Sequence, residues 1–306
     1  MQENRNLTAL FSLFARAWHN EQYAVRVLED DVSRKLLTDE EYRTVGESMT
    51  AGISFFAPQF SGTNEQALRL IATEYLCPSV LARAVFSEQA LQTAAKIGTA
   101  QYLLLGAGYD TFPYRQPAFA KNMRIFELDR AATVQDKIAR LARAGITPPE
   151  NVQYLATDLT ASGWEKVLHE NPAFDRAAPT FCSLLGLVYY LPTADFVRLL
   201  CTLQNLLCAG SSLVFDYPDA NAFGAHAGIR AQKQAKLARA AGEEMHGGYS
   251  EQTLMRLLSD CGFRVYEHLT PDEITAQYFA LHNRANPETP LRAFDNVNFC
   301  LAVRKE

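Results

Sequence analysis

The chain has 306 residues, which suits one α/β domain of about 200 residues plus an appendage. Apolar content of 48% and charged content of 21% are ordinary for a globular protein whose core needs no disulfides. A net charge of -5, a pI near 5.8 and the lack of any Lys/Arg run argue against a nucleic-acid partner held by a basic face.

Six cysteines, at 77, 182, 201, 208, 261 and 300, form no Cys-x-x-Cys pair and have no zinc spacing. No metal site is expected, and the thiols read as small apolar residues in a reducing cytoplasm. The N-terminus has no basic region followed by an apolar core. No apolar run reaches the roughly 18 residues needed to span a bilayer, so no membrane partner is expected.

Residues 1–96 read as all-helical. Leu7, Leu10, Phe11, Phe14 and Trp18 recur at helical spacing, which buries one face of a first helix that also carries Arg16 and His19. Thr38 with Glu41, and Thr63 with Gln66, have the capping-box spacing that starts two further helices. Between them, 52–62 is an aromatic loop containing Phe55, Phe56 and Phe60, either a connector or part of a lid over a pocket. Pro78 and Ser79 open a helix that carries Arg83 and Glu88 and ends before Gly98. With no obvious core of their own, these helices are expected to form a cover, 1–96, over the strand ends of an α/β domain, 97–306. Residues 1–20 would then act as a lid whose loss costs methyl transfer more than it costs folding.

From 101 the pattern alternates. Strands are expected at 101–105, 123–129, 152–157, 180–185, 211–216, 263–268 and 298–303. Helices separate the first six, clearest at 132–144, 193–208 and 250–260. Thr193 is expected to cap the 193–208 helix and Gly210 to close it. Such alternation implies parallel strands with helices on both faces, a Rossmann-like, seven-stranded, mostly parallel sheet. The long segment 270–298 departs from the repeat.

The chemistry centres on Gln101-Tyr-Leu-Leu-Leu-Gly-Ala-Gly-Tyr-Asp-Thr111. A short apolar strand runs into Gly106-Ala107-Gly108, and two glycines two apart let backbone amides approach a ligand. About twenty residues on, Arg124-Ile-Phe-Glu-Leu-Asp129 ends in acid. A glycine turn after one strand and a carboxylate ending the next is how an open α/β sheet holds a ribose. A dinucleotide fingerprint wants a small residue at 111, to leave room for a pyrophosphate. Here Thr111, Tyr109, Asp110 and Phe112 crowd the turn, and Pro113 argues against a regular helix starting there. That favours S-adenosyl-L-methionine (SAM), which has a ribose and no pyrophosphate. The strand ends 106–110, 127–129, 158–159, 185–190 and 216–219 outline the pocket, and four of the five carry acid.

These motifs resemble the leucine carboxyl methyltransferase family, which includes O-methyltransferases of polyketide biosynthesis. Leu105-Gly-Ala-Gly-Tyr-Asp-Thr111 with Tyr114-Arg115 is the most specific match. Leu7-Thr-Ala-Leu-Phe-Ser-Leu-Phe-Ala-Arg-Ala17, Leu81-Ala-Arg-Ala-Val-Phe-Ser-Glu88, Phe126-Glu-Leu-Asp129 with Lys137, Asp158-Leu159 and Tyr190-Leu191 follow the family order. The resemblance implies a class I SAM methyltransferase with a helical cover. It implies that Arg83 pairs with the methionine carboxylate and that Gly106, Ala107, Gly108 and Asp110 line the amino-acid end. Asp129 would take the ribose hydroxyls, with Glu127 as the alternative, and Asp158 and Leu159 would flank the adenine. The family usually has Glu-Gly after strand four, where this chain has Leu185-Gly186. A polar contact to the cofactor is therefore missing or supplied elsewhere.

The acceptor implied is a small or polyketide-like molecule methylated on a carboxylate or a hydroxyl. A carboxylate is ionised at pH 7 and needs no base; a phenol benefits from one. Arg16, His19, Tyr189, Tyr190, Asp216 and Tyr217 are the candidates for the acceptor pocket. His226, His246 and His282 are further polar groups in the cover regions, and no residue pattern fixes a catalytic base. The alternatives are an NAD(P)-dependent oxidoreductase and a non-catalytic SAM-binding protein.

Overall fold

The computed structural model describes residues 7–224, 227–240, 242 and 244–306. His226, among the candidate polar groups, lies outside the described residues. Seven strands form one sheet: β1 (Gln101–Leu105), β2 (Arg124–Asp129), β3 (Val152–Ala156), β4 (Thr180–Leu184), β5 (Ser212–Pro218), β6 (Phe263–Leu269) and β7 (Val297–Arg304). Their order is β3-β2-β1-β4-β5-β7-β6. The first five are parallel and β7 runs antiparallel between β5 and β6. The expected mostly parallel sheet is therefore present.

β1, β4 and β5 are buried along their whole length, as central strands covered on both faces must be. Alternation along each strand divides their side chains between two cores. Tyr102 and Leu104 join one core with the cover helices, and Leu103 and Leu105 join the other with helices Thr193–Leu206 and Glu251–Asp260. The order in which strands are added reverses between the parallel strands β1 and β4, which opens a crevice beyond their carboxyl ends.

The two expected capping boxes are formed. Thr38 opens helix Asp39–Ala51 with Glu41 reaching back, and Thr63 opens helix Asn64–Ile71 with Gln66 reaching back. Pro78 sits in the first turn of helix Cys77–Lys96. Thr193, by contrast, is the first helical residue and not the cap. Pro192 takes the cap position, and Thr193 makes no capping bond. The aromatic loop 52–62 contains a helical turn, Ile53–Phe56, whose Phe56 carbonyl accepts from Lys233 at 2.6 Å and from the Tyr75 hydroxyl at 3.3 Å. These contacts fit the connector reading. The departing segment after β6 holds a third capping box, Thr270 with Glu273, and the short helix Ala280–Ala285. That helix places His282 beneath the first helix, where its Nδ1 lies 2.8 Å from the Val25 carbonyl oxygen.

Helix Leu7–Gln22 is not a detachable lid. Leu10, Leu13, Phe14, Ala17 and Trp18 are buried in the core shared with the sheet. Losing the first twenty residues would remove this packing. The helical run Asn64–Lys96 also corrects the expectation on apolar length, because by length and composition it could cross a membrane. However, 61% of its apolar window is buried in the fold.

Cover and sheet are also joined by charge. The Arg140 guanidinium, on helix Ala131–Arg143, donates to both Glu41 oxygens, at 2.9 and 2.8 Å. Burial pushes the Glu41 pKa up. Hydrogen bonds from Arg140 and the Thr38 amide, with the guanidinium charge, outweigh this and hold it at about 2. A carboxylate depressed in the folded state stabilises above its unfolded pKa, and this contribution is lost as pH falls through the folded value. Glu41→Gln should therefore lower the melting temperature near neutral pH. It should also flatten the decline of that temperature as pH falls from about 4.5 towards about 2. Parallel pH profiles for the two proteins would show that this pair carries no such linkage.

Candidate functional site

The crevice at the β1/β4 reversal is a cleft of about 780 Å³. Its floor is the glycine turn. Gly106 and Ala107 amides both donate to the Leu128 carbonyl, at 2.9 and 3.0 Å, which pins the turn against β2. Gly106 and Gly108 have φ of +72° and +49°, the left-handed region where a side chain is strained. A Cβ on Gly108 would lie 3.5 Å from Ala9 Cβ, so the first helix packs directly over the turn.

The carboxylate ending β2 closes one side. Asp129 Oδ2 accepts from the Gly108 amide and Oδ1 from the Arg130 amide, both at 2.7 Å. The carboxylate is thus oriented by backbone, lines the cleft, and keeps lone pairs for other donors. Asp158 and Leu159, after β3, form the next wall. The Asp158 carboxyl is held below its usual range, first by its hydrogen bonds from Thr160 and also by Arg130.

The opposite end carries a cation. Arg83 comes from helix Cys77–Lys96 and reaches the cleft with a side chain 16% exposed. Behind it lies Asp216 on β5, fully buried. Asp216 accepts from Arg83 at 3.3 Å, from the Tyr189 hydroxyl at 2.9 Å and from the Gly186 amide at 2.6 Å. Burial works against the Arg83 charge, but Asp216 more than offsets it and the guanidinium pKa rises. A Cβ on Gly186, at φ +69°, would stand 2.5–2.7 Å from the Arg83 guanidinium. The glycine after β4 therefore makes room for that side chain.

Several expected site residues reach the cleft: Arg83, Gly106, Ala107, Gly108, Asp110, Asp129, Asp158, Leu159 and Leu185, with Arg16 and Tyr190 from the acceptor set. Leu185 is half-buried on the wall, an apolar surface where the family pattern has a carboxylate.

The rest do not line the cleft. Glu127 shares a strand face with Asp129 but sits one pleat deeper, 1% exposed, with its carboxylate 2.8 Å from Lys137 Nζ and accepting from Tyr114. Burial raises its pKa against the opposing Lys137 charge. It forms a buried pair with Lys137 and does not line the cleft. His19 is buried beside Tyr23 and His282, and its Nε2 accepts from the Val27 amide. Burial first, then the neighbouring His282 and Arg26, lower its pKa to about 3, so it stays neutral. Tyr217 faces the other core, with its hydroxyl 2.7 Å from His268. Tyr189 and Asp216 form a layer behind Arg83 and do not line the cleft. Burial and the Asp216 charge push the Tyr189 hydroxyl pKa well up, so it stays protonated.

Arg130, Thr133, Ser183 and Glu244 line the cleft and were not among the expected residues; His246, listed as a cover-region group, lines it too. Arg130 directly follows the strand ending at Asp129, Thr133 lies one helical turn further on, and Ser183 sits within the expected strand 180–185. The last two come from the segment before Glu251 and carry no local signal. The His246 amide donates to the Tyr189 carbonyl at 2.6 Å, which docks that segment on the site.

The leucine carboxyl methyltransferase family model matches residues 9–204. YktD of Bacillus subtilis, named as a SAM-dependent methyltransferase, is 33% identical over 100% of both chains. A Mycobacterium marinum protein of the same naming is 32% identical over 54% of this chain and 53% of its own. In fold, the chain resembles a protein from Thermobifida fusca named as a methyltransferase, with TM-score 0.55 and 15% identity, covering 85% of this chain and 94% of that one. A DUF574-family protein from Streptomyces avermitilis gives TM-score 0.55 at 14% identity, covering 85% and 97%. The cofactor is therefore SAM, and the nicotinamide alternative falls. The chain belongs to the leucine carboxyl methyltransferase family and is a SAM-dependent methyltransferase.

Proposed function

We propose that the enzyme methylates an oxygen, on a carboxylate or a hydroxyl, of a small acceptor held beside the glycine turn, with residues 1–96 as the cover. The observation that carries this reading is the polarity of the cleft. A positioned cation, Arg83, stands at one end and a backbone-oriented carboxylate, Asp129, at the other. That arrangement suits a ligand with a carboxylate at one end and hydroxyls at the other. A volume of about 780 Å³ lies in the range that small-molecule sites occupy.

Arg83 would take the methionine carboxylate with the donors that Asp216 does not use. Asp129 would accept from the ribose hydroxyls, and Asp158 and Leu159 would flank the adenine. Gly106, Ala107, Gly108 and Asp110 would surround the amino-acid end, with Leu185 as an apolar wall. When bound, SAM supplies a methyl group activated on a sulfonium. The protein then has to hold the acceptor oxygen in line with that group and keep water out. A carboxylate acceptor needs no base, and the family description names methyl transfer to a carboxyl. A hydroxyl acceptor would draw on His246, which lines the cleft. Transfer of a labelled methyl from SAM to a panel of carboxylic acids and phenols tests this. A product methyl released as methanol in mild alkali marks an ester, and an alkali-stable one an ether. Methyl appearing exclusively on nitrogen, carbon or sulfur acceptors would overturn the oxygen reading.

A hydrogen bond to a charged group contributes roughly 1.5–3 kcal/mol, and about 1.4 kcal/mol is tenfold in affinity. Asp129→Asn should therefore weaken SAM binding by roughly ten- to hundred-fold in calorimetry. Arg83→Met should weaken it similarly and also lower the melting temperature, because Asp216 is left buried beside Tyr189 without its cation. Unchanged dissociation constants for both variants would remove the basis of the assignment.

Gly186→Ala should reproduce the affinity loss of Arg83→Met with Arg83 still present, since its methyl group would occupy the guanidinium's place. Wild-type affinity in that variant would show that the Arg83 position does not matter for the cofactor.

A further inference from the structure

Helix Ile229–Ala240 places Arg230, Lys233, Lys236 and Arg239 three residues apart, with no acid among its twelve residues, in a chain of net charge -5. The first two cations are committed to the fold. Arg230 is buried and paired with Asp295 at 2.8 Å, and Lys233 donates to the Phe56 carbonyl. Lys236 and Arg239 instead face a second cleft of about 360 Å³. Its other walls include Ala222, Phe223 and Met245, with Phe223 41% exposed. Among the described residues Lys236 has no ion pair. Arg239 meets Glu244 at 3.1 Å, where both side chains are mostly exposed, and such a pair is weak. Glu244 belongs to this cleft and to the cofactor cleft, so the two meet at that residue.

We propose that this second cleft is the recognition arm for the methyl acceptor, gripping an anionic group on an apolar body through Lys236 and Arg239. It rests on the methyltransferase reading above. The anion held here is not the atom methylated. A carboxylate whose lone pairs are engaged by a guanidinium and an ammonium is a poor nucleophile. The acceptor therefore carries two functional groups. One is anchored at Lys236 and Arg239, and the other extends past Glu244 into the cofactor cleft. Glu244 occupies Arg239 until the acceptor's anion displaces it, so it competes with that anion.

A matched pair of fluorescent probes tests this on the full chain. 8-Anilinonaphthalene-1-sulfonate has an apolar body with one sulfonate, and N-phenyl-1-naphthylamine is the same body without it. The wild type should bind the sulfonate probe about tenfold more tightly, a preference that shrinks as salt is raised. The double variant Lys236→Gln, Arg239→Gln should lose the preference and bind the neutral probe as before. Glu244→Gln should tighten the sulfonate probe about threefold, the opposite sign. Equal binding of the two probes by the wild type, or a preference that survives in the double variant, would overturn the proposal. Calorimetry with SAM on the same proteins separates the two readings. Loss of SAM binding in the wild type would count against the proposed function and leave the anion cleft standing. Normal SAM affinity with no probe preference would remove this inference alone.

Discussion

A carboxylate with no exposure needs a cation, and Asp216 is such a group at the end of β5. Its two oxygens gather a guanidinium from the cover helix Cys77–Lys96, a hydroxyl from Tyr189, and the amide of Gly186 after β4. Those partners come from two separate parts of the chain, the cover helix and the turn after β4. Satisfying one buried charge therefore sets the helix against the sheet and the β4 turn against β5. It also leaves one side of Arg83 facing the cleft. The cation that greets the cofactor is placed there by a structural demand.

A second buried carboxylate does the same for the glycine turn. Asp30 accepts from the Val32 and Ser33 amides and from the Thr111 hydroxyl, and Arg16 Nε stands 3.5 Å away. Arg16 in turn donates to the Tyr109 carbonyl at 2.6 Å. Arg115 lies between Asp30 and Glu88, 3.8 Å from the former and in hydrogen-bond contact with the latter. The residues that crowd the turn and argue against a dinucleotide are those that fasten the cover to it. This is why the cover shares its core with the sheet and cannot be peeled away as a lid.

The sheet was legible because each strand is a short apolar run bounded by turn residues, and because the glycine turn and Asp129 stand at strand ends. The capping boxes were legible for a similar reason: their chemistry is complete within four residues. What could not be read was which way a polar residue faces when its partner is far away in sequence. Glu127 and Asp129 look equivalent as Glu-Leu-Asp, and burial by Lys137 separates them. Asp216 and Tyr217 are neighbours whose side chains enter opposite cores. His19 lies on the same helix as Arg16, yet it is enclosed by Tyr23 and His282, the latter from a segment more than 250 residues away. Glu88 lies on the same helix as Arg83 yet pairs with Arg115, and Lys137 pairs with Glu127.

The departure at Leu185 has a consistent place in this arrangement. A carboxylate there would stand next to Gly186, whose missing side chain admits the Arg83 guanidinium, and would compete with Asp216 for that cation. With leucine at 185, Asp216 keeps Arg83 from behind while the open side still faces the cleft. A guanidinium has five N–H donors in a planar fork, so it can serve an aspartate on one edge and a ligand carboxylate on the other. A lysine, with one compact charge, could not span both edges in the same way. The chain thus concentrates its demand for a cation at this end of the cleft on one arginine, which is held in place by the core before any ligand arrives.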